Sequence, residues 1–190
     1  MNITELTDLE YQAYCFAEFK HGFAGQKRKY TGEPYIVHPI SVNEILKRYY
    51  TENEYILAAS FLHDVIEDCY AYSNRQVGIY EIEDQFGKEV TSLVIELTDE
   101  FVAEAYPTLN RAIRKAREAI RLSNISDEAL HIKLADFIDN TSSIKVQDPN
   151  FYKTYQKEKM NVLTLINSRI ANNDNLSLKL LYAEALRINS

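Results

Sequence analysis

Phe61-Leu62-His63-Asp64-Val65-Ile66-Glu67-Asp68 (FLHDVIED, residues 61–68) sets four ionisable groups among four apolar ones. Glu67 lies four residues after His63, and Asp68 four after Asp64. At about 100° per residue, a helix puts each of these pairs on one side, a turn apart. Upstream, Ile56, Ala59, Ser60 and Leu62 extend the apolar pattern, and Thr51 with Glu54 has capping-box spacing. One helix from Thr51 through Cys69 is therefore expected. Ionisable groups in an apolar helix are costly unless something compensates them. A divalent cation is the natural compensation for three carboxylates and an imidazole. The plainer alternative is an acidic helix edge turned to water, with His63 satisfied locally.

Two further segments carry the same tension between apolar context and polar residue. In KLADFIDN (133–140), Asp136 is embedded among Leu134, Ala135, Phe137 and Ile138, with Asn140 a turn beyond and Lys133 nearly a turn before. An Asp in that setting is seldom fully buried without a partner. A metal would be one; a lysine or a neighbouring helix end would be another. In GEPYIVHPI (32–40), His38 directly precedes Pro39 at a loop-to-helix junction, so its backbone is expected to be extended. A His before Pro is by itself most often structural. Taken together, His38, His63, Asp64 and Asp136 form a mixed N/O donor set suited to Mn²⁺, Fe²⁺, Zn²⁺ or Mg²⁺. Water bound to such a metal becomes a nucleophile near neutral pH.

The rest of the chain reads as helices. A first helix is expected from Glu5 to about Phe23, ended by Gly22 and Gly25, and a second from Pro39 to about Tyr49. Tyr70–Gly78 reads as a loop, and a short helix from about Ile79 ends at Gly87 before Lys88–Leu97 continues. Pro107–Leu122 reads as a basic helix, a solvated face paired with Glu118 and other acids. Ser126 caps the next helix, Asp148-Pro149 opens another, and Leu176–Ile188 closes the chain. The expectation is an all-α bundle of about eight or more helices. Among 190 residues there are only 5 Gly and 4 Pro, which agrees. One domain, 1–190, is expected, with a core large enough to fold alone.

A net charge of −7 argues against a dedicated nucleic-acid binder. It permits a small phosphorylated ligand, which a metal and a few local cations can neutralise. Cys15 and Cys69 lack metal-binding spacing and read as reduced thiols. The N-terminus is polar and acidic, and no apolar run is long enough to span a bilayer. No membrane partner and a cytoplasmic location are expected.

HD in FLHDVIED, with His38 before it and Asp136 after it, resembles the HD phosphohydrolase pattern. The ordered run HGFAGQKRKYTGEPYIVHP (21–39), LHDVIED, FGKEVTSLVIELT (86–98) and KLAD…N is similar to something narrower: the hydrolase domain of RelA/SpoT proteins and the small alarmone hydrolases. The resemblance covers residues 9–144, leaving 145–190 as helices that complete the bundle. It implies an HD-domain fold with one metal site, a stand-alone hydrolase without the synthetase region, and removal of the 3′-pyrophosphate of (p)ppGpp using Mn²⁺ or another divalent metal. It implies His38, His63, Asp64 and Asp136 as metal ligands, and Glu67 and Asp68 as the acidic pair that positions or activates water. It further implies Arg28 and Lys29 as contacts of the nucleotide base, Asn140 near the ribose, and Tyr155 as a looser nucleotide contact. A guanidinium stacking on a purine is consistent with Arg28 in that role. His21 and His131 receive no catalytic role.

The chain departs from the family pattern around the substrate. Phe137, Asp139 and Thr141-Ser142-Ser143 replace the usual basic and aromatic positions after the last ligand, and Asp99-Glu100 stand where many relatives have Lys. A related nucleotide, such as (p)ppApp or a nucleoside 5′-monophosphate, is therefore an alternative substrate, and a non-catalytic nucleotide sensor is a further alternative. Oligomeric state is not legible.

Overall fold

Thr7 opens the first helix of the computed structural model, which describes residues 2–189. Its side chain accepts from the Glu10 backbone N–H, and Glu10 accepts in return from the Thr7 N–H, closing a capping box. This helix, α1 (Asp8–Phe23), starts later than expected, because Ile3–Glu5 forms a separate 3₁₀ turn. Eight more α-helices follow among the described residues: α2 (Val37–Arg48), α3 (Glu54–Leu62), α4 (Val65–Cys69), α5 (Arg75–Leu97), α6 (Arg111–Leu122), α7 (Asp127–Gln147), α8 (Pro149–Ala171) and α9 (Leu176–Ile188). No strand occurs among the described residues, and Lys27 and Pro34 form an isolated antiparallel bridge. The all-α expectation holds.

Several boundaries differ from expectation for identifiable reasons. Thr51 does not cap α3. Its N–H reaches back to Leu46 O, and the Tyr50 N–H to Lys47 O, so both residues close α2 in a Schellman motif with Tyr50 at φ 64°. Asn53 caps α3 instead, accepting from the N–H groups of Tyr55 and Ile56. The expected continuous helix to Cys69 is interrupted at His63-Asp64 and resumes as α4. His38 is helical rather than extended. It lies in the first turn of α2 with its N–H on Tyr35 O, and Pro39 follows where a missing N–H costs nothing. The loop expected to run to Gly78 ends at Asn74, since α5 begins at Arg75. Gly78 is inside that helix, where an added Cβ would lie 2.8 Å from Ile66 Cδ1 and from the Tyr70 ring. Gly87, at φ 77°, kinks α5 where a helix end was expected. α6 begins at Arg111 rather than Pro107, because Asn110 caps it by accepting from the Ile113 N–H.

The chain divides into two units, one ending at Thr98 and one beginning at Asp99. In the first, α3 is buried along its whole Ile56–Leu62 stretch, as a helix apolar on every side must be. Helices α1, α2 and α5 pack around it. Asn43 on α2 spans this core, its amide donating to Glu10 Oε1, Leu57 O and Ser60 Oγ at 3.1–3.2 Å. Lys47 neutralises the buried Glu10 at 2.7 Å. In the second unit, α7 packs against α8 and α9, and α6 against α8. No helix among the described residues is long and apolar enough to cross a membrane.

Candidate metal centre

The break between α3 and α4 is where the donors of the first unit gather. His63 is the residue after Leu62, and its Nδ1 lies 2.8 Å from the Ser60 carbonyl. A carbonyl only accepts, so Nδ1 carries the proton and Nε2 keeps its lone pair. His38, on the first turn of α2, brings its ring to 5.2 Å from that of His63. Both imidazoles are buried, at 1% and 2% exposure. Asp64 Oδ2 lies 3.1 Å from His63 Nε2 and 3.5 Å from His38 Nε2, and it accepts a 2.6 Å hydrogen bond from the Tyr35 hydroxyl. Two buried imidazole nitrogens thus face one carboxylate oxygen, an arrangement whose donor chemistry fits a divalent cation.

Glu67 and Asp68 occupy α4, directly after this point. Gln26 Nε2 donates to Asp68 Oδ2 at 2.7 Å, and Gln26 Oε1 lies 2.5 Å from His21 Nδ1. Desolvation and the neighbouring Asp64 carboxylate push the Asp68 carboxyl up to about 6. Burial lowers His21, which keeps it neutral, and raises the Cys69 thiol to about 12, which keeps it protonated. Arg28 and Lys29 sit in the loop between α1 and α2, where Arg28 exchanges backbone bonds with Glu33 and Gly32. Lys29 is exposed, its ammonium 4.8 Å from the centre of the Tyr30 ring.

In the second unit, Asp136 is 6% exposed on α7. Lys133, a turn earlier, approaches its Oδ2 at 3.2 Å, and the Asn140 amide, a turn later, donates to its Oδ1. Tyr155 is 8% exposed on α8, where its ring carries the Lys159 ammonium at 4.7 Å. The expected pairing of the basic helix is present: Arg121 with Glu118, Arg111 with Glu158, and Lys115 with Asp99. Burial works against ionised Asp99, but Lys133 and Lys115 outweigh it and hold the carboxyl below its usual range.

In the first unit the buried His38 and His63 are candidate metal-holding residues; in the second, taken by itself, so is the buried Asp136. Asp64 joins the two histidines by the distances above. Sequence reasoning passed over Tyr35 and Gln26. Tyr35 left no signal, because its partner Asp64 is 29 residues away. Gln26 left none, because its partner Asp68 is 42 residues away.

The HD domain family model matches residues 13–171. The chain is 32% identical over 169 residues to the Drosophila melanogaster guanosine-3′,5′-bis(diphosphate) 3′-pyrophosphohydrolase MESH1, covering 87% of both chains. It is also 32% identical over 163 residues to an Aquifex aeolicus guanosine-3′,5′-bis(diphosphate) 3′-pyrophosphohydrolase, covering 84% of this chain. It spans about a fifth of the length of that relative and of a similar Synechocystis protein, 21% and 20% respectively. Among solved structures, it resembles one described as a metazoan ortholog of SpoT that hydrolyzes ppGpp, with TM-score 0.74, 29% identity and 95% of each chain covered.

Proposed function

Because the chain belongs to the HD domain family, we propose that it is a metal-dependent hydrolase that removes the 3′-pyrophosphate of (p)ppGpp or a closely related nucleotide. The observation that carries the reading is the meeting of His38 and His63 Nε2 at one oxygen of Asp64, in a chain whose MESH1 relative is similar along nearly its whole length. Residues 1–190 act as one hydrolase domain. His38, His63, Asp64 and Asp136 hold one divalent ion, Mn²⁺ in this reading. When bound, such an ion supplies charge neutralisation for the phosphate and acidifies water.

The chain's own residues do the rest. Ser60 fixes the His63 tautomer, so the ring needs no rearrangement to act as a donor. Tyr35 orients Asp64. Glu67 and Asp68 orient the attacking water and take its proton, and Gln26 anchors Asp68 for that task. The water oxygen bonds to phosphorus, the bond to the ribose 3′ oxygen breaks, that oxygen takes up the proton held by the acidic pair to become the 3′ hydroxyl, and pyrophosphate leaves. Arg28 and Lys29 receive the base, Asn140 lies near the ribose, and Tyr155 is a further nucleotide contact. The substrate is small and phosphorylated, and the reaction belongs to the cytoplasm.

The test is a nucleotide panel with purified protein, with Mn²⁺ and with EDTA. Pyrophosphate is expected from ppGpp with Mn²⁺ only, and His63→Ala is expected to abolish it while the helical circular dichroism persists. Inorganic phosphate from a nucleoside monophosphate, with ppGpp untouched, would replace this substrate. Binding without turnover, insensitive to Asp64→Ala, would make the protein a sensor.

A further inference from the structure

In the second unit, Lys159 on α8 shares the Phe137 ring with Lys133 on α7, whose ammonium lies 5.8 Å from the ring centre, and it feels the charges of Lys133 and of Lys115 on α6. Two carboxylates answer them. Asp99 lies 2.6 Å from Lys115, and Asp136 lies 3.2 Å from Lys133. Asp139 and Glu158 also act on the Tyr155 side of this cluster, and Glu158 is held by Arg111 at 2.8 Å. Lys159 itself has no carboxylate within ion-pair distance among the described residues. Its ammonium rests instead on the faces of Phe137, at 4.3 Å, and Tyr155, at 4.7 Å.

Aromatic faces attract an ammonium but do not replace its lost water in full. Desolvation and the charge of Lys133 lower Lys159 to about 8, so it remains mostly protonated at neutral pH while its surroundings favour a lower positive charge. A partly buried cation of this kind is completed by an anion. A lysine ammonium is a compact point charge that pairs with phosphate oxygens, the anions a nucleotide hydrolase admits.

We propose that Lys159, backed by Lys133 and Lys115 and walled by Phe137 and Tyr155, is a subsite for the anionic oxygens of a phosphate or diphosphate group. This rests on the nucleotide-hydrolase reading for the choice of phosphate and for its source, either a phosphate of the bound nucleotide or inorganic pyrophosphate.

The experiment is calorimetric titration of the full metal-free chain with GDP, inorganic pyrophosphate and guanosine, for wild type, Lys159→Met and Lys159→Arg. Methionine keeps an unbranched stem against the rings, and arginine keeps the charge. Lys159→Met is expected to weaken GDP or pyrophosphate binding about tenfold and leave guanosine unchanged, with Lys159→Arg within about threefold of wild type. Weakening with GDP alone identifies a nucleotide phosphate, and weakening with pyrophosphate alone identifies the free ion. In turnover, Lys159→Met is expected to raise KM for ppGpp with kcat little changed. Anion binding untouched by Lys159→Met, equal damage by both variants, or no anion binding by wild type overturns the subsite. If wild type fails to hydrolyse ppGpp but the binding differences appear, the hydrolase reading falls and the subsite stands. If hydrolysis proceeds with KM and anion binding both unmoved by Lys159→Met, the reverse holds.

Discussion

Asp68 carries opposing demands in one side chain. Its carboxyl is raised from an ordinary 3.8 to about 6, by desolvation first and then by Asp64. Between those values the folded protein retains a proton that the unfolded chain has released. Ionised Asp68 therefore costs stability; the cost is complete above about pH 6 and absent below about 4. Asp68→Asn in metal-free protein should raise the melting temperature above pH 6 and leave it unchanged near pH 4. Discounting for the solvent access of Asp68, the gain is about 1 kcal/mol, or about 2–4 °C in a chain of this size. The same variant should lose about 10²–10⁴ in rate if the carboxylate takes the proton of water. Melting curves at the two pH values and a turnover assay check both; a variant that is active and no more stable would end this account. The ionisable residues of LHD and KLAD could be found from sequence because a charge in an apolar run is anomalous. The bonds from Tyr35 to Asp64 and from Gln26 to Asp68 could not, since contacts between polar residues distant in sequence leave no periodicity. His38 and Asp64 are brought together, while Asp136 is also engaged by Lys133, the plainer partner considered at the outset.

Among the helices, legibility followed the strength of the local signal. The Ser126 and Asp148 caps appear as expected, and Gly87, expected to end a helix, breaks the helical backbone as a kink within α5, because each has a specific backbone consequence. The start of α3 was misplaced because Thr51 and Asn53 are both capping residues, and the choice depends on how α2 ends. That ending is unusual. Tyr50 adopts a left-handed conformation that L side chains take reluctantly, and its ring is 72% exposed, so packing returns little. Tyr50→Gly should therefore stabilise the protein by about 0.5–1 kcal/mol, despite the usual entropic penalty of glycine. Urea unfolding would register this as a higher midpoint at constant slope. A lower midpoint would mean that the Tyr50 ring does more than its exposure indicates.

For the whole molecule, metal binding and folding are linked. An ion that binds only the native chain at a hundred times its Kd adds about 2.7 kcal/mol, or about 5–10 °C of melting temperature. Mn²⁺ should produce such a shift, EDTA should reverse it, and His38→Ala should remove it. If no divalent ion moves the transition, the metal centre is misassigned. The burial of α3 on every side bears on how such a protein tolerates change over time. Seven successive positions, Ile56 to Leu62, offer no surface on which a random replacement could go unnoticed. Only exchanges of nearly equal volume are tolerated there. Neutral drift in this protein is thus channelled away from the segment leading directly into His63 and towards helix faces that meet water.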